Sequence, residues 1–377
     1  MFPLTRTQAA SCAVLRLLKL LLVAFSLRPL RRPRLVLWLR FGCWMIWYLF
    51  LFVQGFQRVG GAQACNLDCQ LRFMLTFLLA ASHCFMVANS FIRGLKFPIS
   101  KGNDVEILEP SNPRVACTVL SIVLPIAGNT LMIFANGARS SAQVWFFHLK
   151  MQPSFLALQL QIVSFISEVM ESNMKVRQAK GQFQTLVREL SCRWPQVKQQ
   201  AEFLDQQAHR VLDLKRRYSE LYYLYEKINN NFGGSLLIIF IDFFAMYVCH
   251  AYWLFVDVRT APLRIYAVLL NLLYIFNVDL QITAACWHCQ QGYNLGRQIG
   301  CLISKLVKPM GSKRYNDLVS EFSLQTLHQR FVVTAKDFFS LNLHLLSSMF
   351  AAVVTYLVIL IQFMFAERIA KRISESE

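Results

Sequence analysis

The chain has 377 residues, 55% of them hydrophobic and 16% charged, with 31 Phe, 12 Tyr, 7 Trp and a formal net charge of +18. A soluble domain carries about 45–50% apolar and about 25% charged residues, so this balance excludes a disordered chain, a coiled coil and a disulfide scaffold. An ordinary soluble enzyme is disfavoured as well, because its interior is too small for this many bulky apolar side chains, and a lipid bilayer is the natural solvent.

The amino-terminal segment, 1–34, contains an apolar run at 12–27 broken by Arg16 and Lys19, followed by a basic block from Arg28 to Arg34. No small-residue cleavage site follows the run, so it reads as an interfacial amphipathic helix on the cytoplasmic side. A helix that crosses the hydrocarbon core needs about 20 mostly apolar residues. Seven stretches qualify, at 35–57, 73–92, 115–135, 144–167, 235–256, 265–287 and 341–366. The first is interrupted by Arg40, which sits near one end and can snorkel. The fourth is the weakest, carrying Lys150, Pro153 and three glutamines. Cys65 and Cys69 fall in the first outer loop, where a disulfide is open to them if the loop is not helical.

Basic residues orient the spans. With the amino terminus in the cytoplasm, the inner segments 1–34, 93–114, 171–234 and 288–340 hold 29 of the 39 Lys and Arg. The carboxyl-terminal tail, 367–377, is then extracellular. G-protein-coupled receptors have seven spans the other way round, so charge disfavours that class. Nucleic acid is also not an expected partner, because the cations are spread over membrane-proximal ends beside anionic headgroups rather than gathered in a groove. A secondary transporter would show related halves, and no internal repeat is visible.

The segment 171–234 carries apolar residues at helical spacing: Phe183, Leu186, Val187 and Leu190, then Leu221, Leu224, Tyr225 and Ile228. It reads as cytoplasmic extensions of spans four and five, divided at Pro195 and closed by Asn229–Asn231 with Gly233 and Gly234. Gly292, Gly296 and Gly300 stand four residues apart after span six. On a helix they make a bare strip for close backbone approach; the alternative is a loose loop.

No catalytic pattern is present, so neither an enzyme nor a cofactor is expected. Cys286 and Cys289 lack a second cysteine pair for zinc and read as packing residues. Asp242 and Asp279 lie inside spans, where a charge is expensive; an ion path and a pairing with a neighbouring helix both fit. The outer loops are short, so a ligand from outside must bind among the helices. Candidate lining residues are Phe77, Asn129, Trp145, His148, Tyr247, His250 and Tyr274, with Trp253 and Asn271 nearby. An apolar aromatic cavity with a few hydrogen-bonding groups suits a small molecule, although each aromatic also suits an interfacial belt.

In the last span Leu341, Ser348, Thr355 and Gln362 repeat every seven residues, two turns apart and so nearly on one face. An amide facing lipid would cost several kcal/mol, so this face meets water or protein. A pore wall shared by symmetry-related subunits and a polar seam within one subunit both answer that need. Thr355-Tyr356-Leu-Val-Ile-Leu-Ile-Gln362-Phe363 resembles the carboxyl-terminal signature of insect gustatory receptors, and the approach to it from Phe322 is similar. The resemblance implies an all-α, seven-span ligand-gated cation channel, homotetrameric or heteromeric with other gustatory subunits, embedded in membrane lipid and gated by a small-molecule tastant. In that family plan the whole of 35–366 is channel domain, with 171–234 and 288–340 in an inter-subunit anchor. Gln362 and Phe363 become constriction residues, and Thr355 and Tyr356 position the pore helix together with the stripe residue Ser348. Leu357 replaces the Glu typical of the sugar-sensing branch, so bitter or other non-sugar tastants are implied, at the plasma membrane of gustatory neurons. An odorant-receptor-like subunit is the closest alternative.

Overall fold

The computed structural model describes residues 18, 20–25, 27, 34–59, 67–96, 142–193, 200–259, 265–306 and 313–374. The third span at 115–135, its Asn129, Cys65 of the first outer loop and Pro195 lie outside the described residues. Among the described residues the seven principal helices are α1 Arg34–Val59, α2 Leu67–Lys96, α3 Ala142–Arg193, α4 Gln200–Arg259, α5 Ile265–Ser304, α6 Lys313–His328 and α7 Leu343–Ser374. No strand occurs among the described residues; a single bridge joins Thr334 and Ser340.

Among the described residues five helices contain stretches long and apolar enough to cross a membrane, at Gln70–Arg93, Gln152–Cys192, Gln207–Arg259, Ala267–Ser304 and Leu343–Ala370. They overlap the second, fourth, fifth, sixth and seventh predicted spans, and those in α3, α4 and α5 are much longer than the spans read from the sequence. The first predicted span is helical throughout α1, with a shorter apolar core at Trp38–Val53. Helix α3 runs on through Pro153, which lies inside it. The ring removes one helical hydrogen bond, yet Phe155, Leu158, Ile162 and Val163 are buried around the helix and hold it by packing. Upstream, Leu18, Leu22 and Leu27 are buried while Leu20 is exposed.

The chain divides into two compact units. The first comprises 1–164, 235–282 and 347–377. Within it α1, α2 and α3 meet at a buried polar knot. The Tyr48 hydroxyl bonds both His83 Nδ1 and Ser154 Oγ, the latter at 3.0 Å, while His83 Nε2 donates to the Phe25 carbonyl at 3.3 Å. Trp44 closes over the His83 ring edge-on at 4.7 Å.

The second unit comprises 165–234 and 283–346. Its core is aromatic: Phe183, Tyr218, Tyr225, Phe322 and Phe331 are all buried. Tyr225 stacks on Phe331 at 5.0 Å, and Tyr218 donates to the Gln329 carbonyl at 2.7 Å. The three glycines lie in α5, so the helical alternative holds, but the strip receives side chains rather than another backbone. A Cβ at Gly296 would stand 2.8 Å from the Phe331 ring, and one at Gly292 would stand 2.7 Å from Asn173 Oδ1.

Helix α4 also departs from expectation at Asn229–Gly234, where it continues instead of closing. Tertiary packing explains the residues there. Asn229 accepts from Thr334 N at 3.0 Å and donates to the Val332 carbonyl at 2.9 Å, and a Cβ at Gly233 would stand 3.1 Å from Lys336 N. The helix therefore uses its amide and its glycine to dock a tight turn. That turn carries positive φ at Lys336 and Asp337, 53° and 63°. Thr334 Oγ1 holds it by donating to Asp337 Oδ1 at 3.0 Å. Two residues past the bridge, Asn342 caps α7: its Oδ1 accepts from Leu345 N at 2.9 Å.

Candidate functional site

One face of α4 carries Asp242, Met246, His250, Trp253 and Asp257, spaced four, four, three and four residues apart. That spacing keeps all five within one stripe of a helix. The neighbouring helices of the first unit meet the stripe with aromatic and polar groups. Tyr274 on α5 stacks on His250 with 4.0 Å between centroids, and its hydroxyl reaches Met246 Sδ at 3.7 Å, one turn deeper. Phe155 of α3 lies against the same phenol at 5.3 Å.

Hydrogen bonds fix the outer part. His250 Nδ1 donates to Asn271 Oδ1 at 2.8 Å, and Asn271 Nδ2 donates to Asp257 Oδ2 at 3.0 Å. Trp253, edge-on to His250, donates to Asp68 Oδ1 at 2.6 Å. Arg72 pairs with the other oxygen of Asp68 at 3.0 Å and stands 4.9 Å over the Trp253 ring, adding a cation–π contact. Each polar group along this part is aimed by a second one, which is how a preorganised binding surface is held.

His250 and Tyr274 are thus brought together, and Trp253 and Asn271 join them. Tyr247 projects from another face of α4. Phe77 is 46% exposed and makes its ring contact with Phe52 at 5.4 Å. Trp145 and His148 lie on α3, but their side chains fall outside the described residues. The His83 knot was not singled out from sequence, although a histidine in the middle of an apolar span is itself a signal.

Helix α7 is arranged differently. Ser348, Thr355, Gln362 and Phe363 are all exposed on this chain, and Tyr356 is 53% exposed with its ring edge-on to Phe244 at 5.6 Å. Leu341 is not part of the stripe. It precedes α7, is buried, and donates its N–H to the Val333 carbonyl at 2.9 Å, so the polar repeat begins at Ser348. The two span carboxylates also part company: Asp242 is buried, whereas Asp279 is exposed. Among the described residues no group of three metal-binding side chains forms, and Cys286 and Cys289 are buried free thiols.

Residues 103–367 match the family model of the 7tm chemosensory receptor. Gustatory receptor 23a of Drosophila melanogaster is 61% identical over 374 residues, which covers 99% of each chain. The chain belongs to the insect gustatory receptor family. It is a multi-pass membrane protein of helical construction and a chemosensory receptor by family. Putative gustatory receptor 39b of the same fly is 29% identical over 160 residues, 41% of this chain and 42% of its own. In fold, this gustatory receptor resembles the insect olfactory receptor OR5 of Machilis hrabei in complex with eugenol, with a TM-score of 0.56 at 12% identity over 94% of this chain and 99% of that one.

Proposed function

We propose that this chain is a subunit of a ligand-gated, non-selective cation channel that responds to bitter or other non-sugar tastants. The observation that carries the reading is the exposure of α7. Only 11% of its most apolar window is buried within the chain, against 78% for α3. A helix left bare yet marked by Ser348, Thr355 and Gln362 on one side needs lipid on some faces and water or further protein on that one. Copies of α7 around a symmetry axis satisfy both needs, as a homotetramer or with other gustatory subunits.

In this reading the channel domain spans 35–366 with seven crossings, a cytoplasmic amino terminus and an extracellular tail, at the plasma membrane of gustatory neurons. The segments 171–234 and 288–340 form the anchor between subunits. Gln362 and Phe363 form the constriction, with Thr355, Tyr356 and Ser348 on the conduction helix. His250 and Tyr274 belong to the ligand site, together with Phe77, Asn129, Trp145, His148 and Tyr247 from neighbouring positions. The likeness in fold to the olfactory receptor solved with eugenol supports a small-molecule ligand for such a bundle. Gating is a population shift: ligand opens the pore only to the extent that it binds the open arrangement better than the closed one.

Whole-cell currents from cells expressing this chain, alone and with co-subunits, test the reading against a tastant panel. Tastant-evoked cation current is expected, with conductance or ion selectivity altered by Gln362→Ala. An unaltered channel in that variant removes Gln362 from the constriction. A carboxyl-terminal tag that stays inaccessible on intact cells overturns the topology.

A further inference from the structure

At the deep end of the α4 stripe stands Asp242, 1% exposed, whose carboxylate has the Ser82 hydroxyl beside it but makes no well-formed hydrogen bond with any described residue. No lysine, arginine or histidine among those residues pairs with it. The groups around it are of two kinds. The Ser82 hydroxyl of α2, itself buried, and the Tyr274 phenol of α5 both face the carboxylate. Above them lie Met246, the stacked pair Tyr274 and His250, and Phe155.

A lone carboxylate taken out of water is costly unless a cation or several hydrogen bonds accompany it. An aromatic column leading to it supplies faces that attract positive charge. A carboxylate with a hydroxyl beside it offers three acceptor oxygens, which matches the three donors of an ammonium group. A quaternary ammonium has no N–H to satisfy them. We infer that Asp242 is the counter-ion for a protonated primary or secondary amine, a ligand whose ammonium sits against the Asp242 carboxylate and the Ser82 hydroxyl and whose apolar body lies against Tyr274, Met246 and Phe155. This rests on the reading of the chain as a receptor for small molecules and names the class it takes.

The test is binding to the purified full-length chain in lipid nanodiscs at neutral pH, followed by tryptophan fluorescence, with shape-matched amine and alcohol probes. Suitable pairs are phenethylamine with 2-phenylethanol, 3-phenylpropylamine with 3-phenylpropanol, and tryptamine with tryptophol, the last pair read by competition. At least one amine is expected to bind about tenfold or more tightly than its alcohol, as a desolvated charge pair gives. Asp242→Asn is expected to abolish that preference, with the amine binding no more tightly than its alcohol. Equal binding of amine and alcohol to the wild type, failure of every amine to bind, or an undiminished preference in Asp242→Asn overturns the inference. The wild-type ratio decides the matter even if the variant does not fold. Because no current is measured, a chain that prefers amines but conducts nothing fails only the channel reading. One that conducts without preferring amines fails only this inference.

Discussion

The Tyr225 hydroxyl donates to Asn173 Oδ1, and the bond passes through the space that Gly292 leaves open. Asn173 completes the link by donating Nδ2 to the His288 carbonyl at 2.8 Å. Burial pushes the Tyr225 phenol well above its ordinary range, with Cys289 beside it adding to the effect, so it remains a donor at any physiological pH. One tyrosine thereby ties α3 to α4 and, through Asn173, to α5. Gly292→Ala should break this arrangement, because its methyl collides with both partners of the bond. The expected loss is about 1–3 kcal/mol, from overpacking plus a buried polar group left unsatisfied. Tyr225→Phe should cost less, since it removes the hydroxyl but keeps the ring stacked on Phe331. Thermal unfolding of the detergent-solubilised chain compares the two, and a Gly292→Ala protein as stable as wild type would show that the strip has slack.

Asn229 is the second point where one side chain governs backbone geometry. It serves one N–H and one C=O of the turn between α6 and α7, at Thr334 and Val332. Asn229→Ala should destabilise by about 1–3 kcal/mol, because both backbone groups lose their partner at once. Asn229→Asp can still accept from Thr334 but cannot donate to Val332, so it should not restore stability. Chemical denaturation midpoints separate the three proteins, and an aspartate variant equal to wild type would mean that the donated bond is dispensable.

These two residues show what sequence reading reaches and where it stops. The helices followed from apolar length and from three-and-four spacing, and both stripes in 171–234 emerged on the buried side, with Phe183, Leu186 and Leu190 in one and Leu221, Tyr225 and Ile228 in the other. Asparagine and glycine commonly end helices, so Asn229 and Gly233 read locally as a stop. Here a turn from more than 100 residues away overrides that local preference, and no short-range pattern carries such information. The same limit applies to the site. His250, Tyr274 and Asn271 were legible as polar or aromatic groups in apolar spans, but their alignment with Asp242 depends on the rotation of α5 against α4. Leu341 misled for the opposite reason: a seven-residue repeat is blind to where the helix starts, and the Asn342 cap sets that start.

The knot of Tyr48, His83 and Ser154 joins three helices through one phenol. Tyr48→Phe keeps the ring against Trp44 but strips both His83 and Ser154 of their shared partner. Since His83 and Ser154 are fully buried, the expected loss is about 1–3 kcal/mol. Removing both polar ends, with Tyr48→Phe and Ser154→Ala together, should cost less than the sum of the single changes, because each orphans a group the other leaves behind. A double-mutant cycle on unfolding temperature measures that coupling, and strict additivity would dissolve the knot into independent contacts.

Thr355 separates folding from conduction. Its hydroxyl donates to the Ala351 carbonyl one turn back at 3.0 Å, so on this chain it is satisfied within its own helix while the residue is exposed. Such a bond adds little to helix stability, and exposed substitutions away from buried networks stay within about 0.5 kcal/mol. Thr355→Val should therefore leave the unfolding temperature of the isolated chain nearly unchanged. If α7 lines the conduction path, the same substitution removes a polar oxygen from the water-facing stripe between Ser348 and Gln362, and tastant-evoked current should fall. Thr355→Ser, which keeps the oxygen, should preserve it. Currents recorded from matched surface amounts of the three proteins decide the point. Equal currents from valine and serine would place the hydroxyl outside the conduction path and leave Gln362 as the stripe's remaining test.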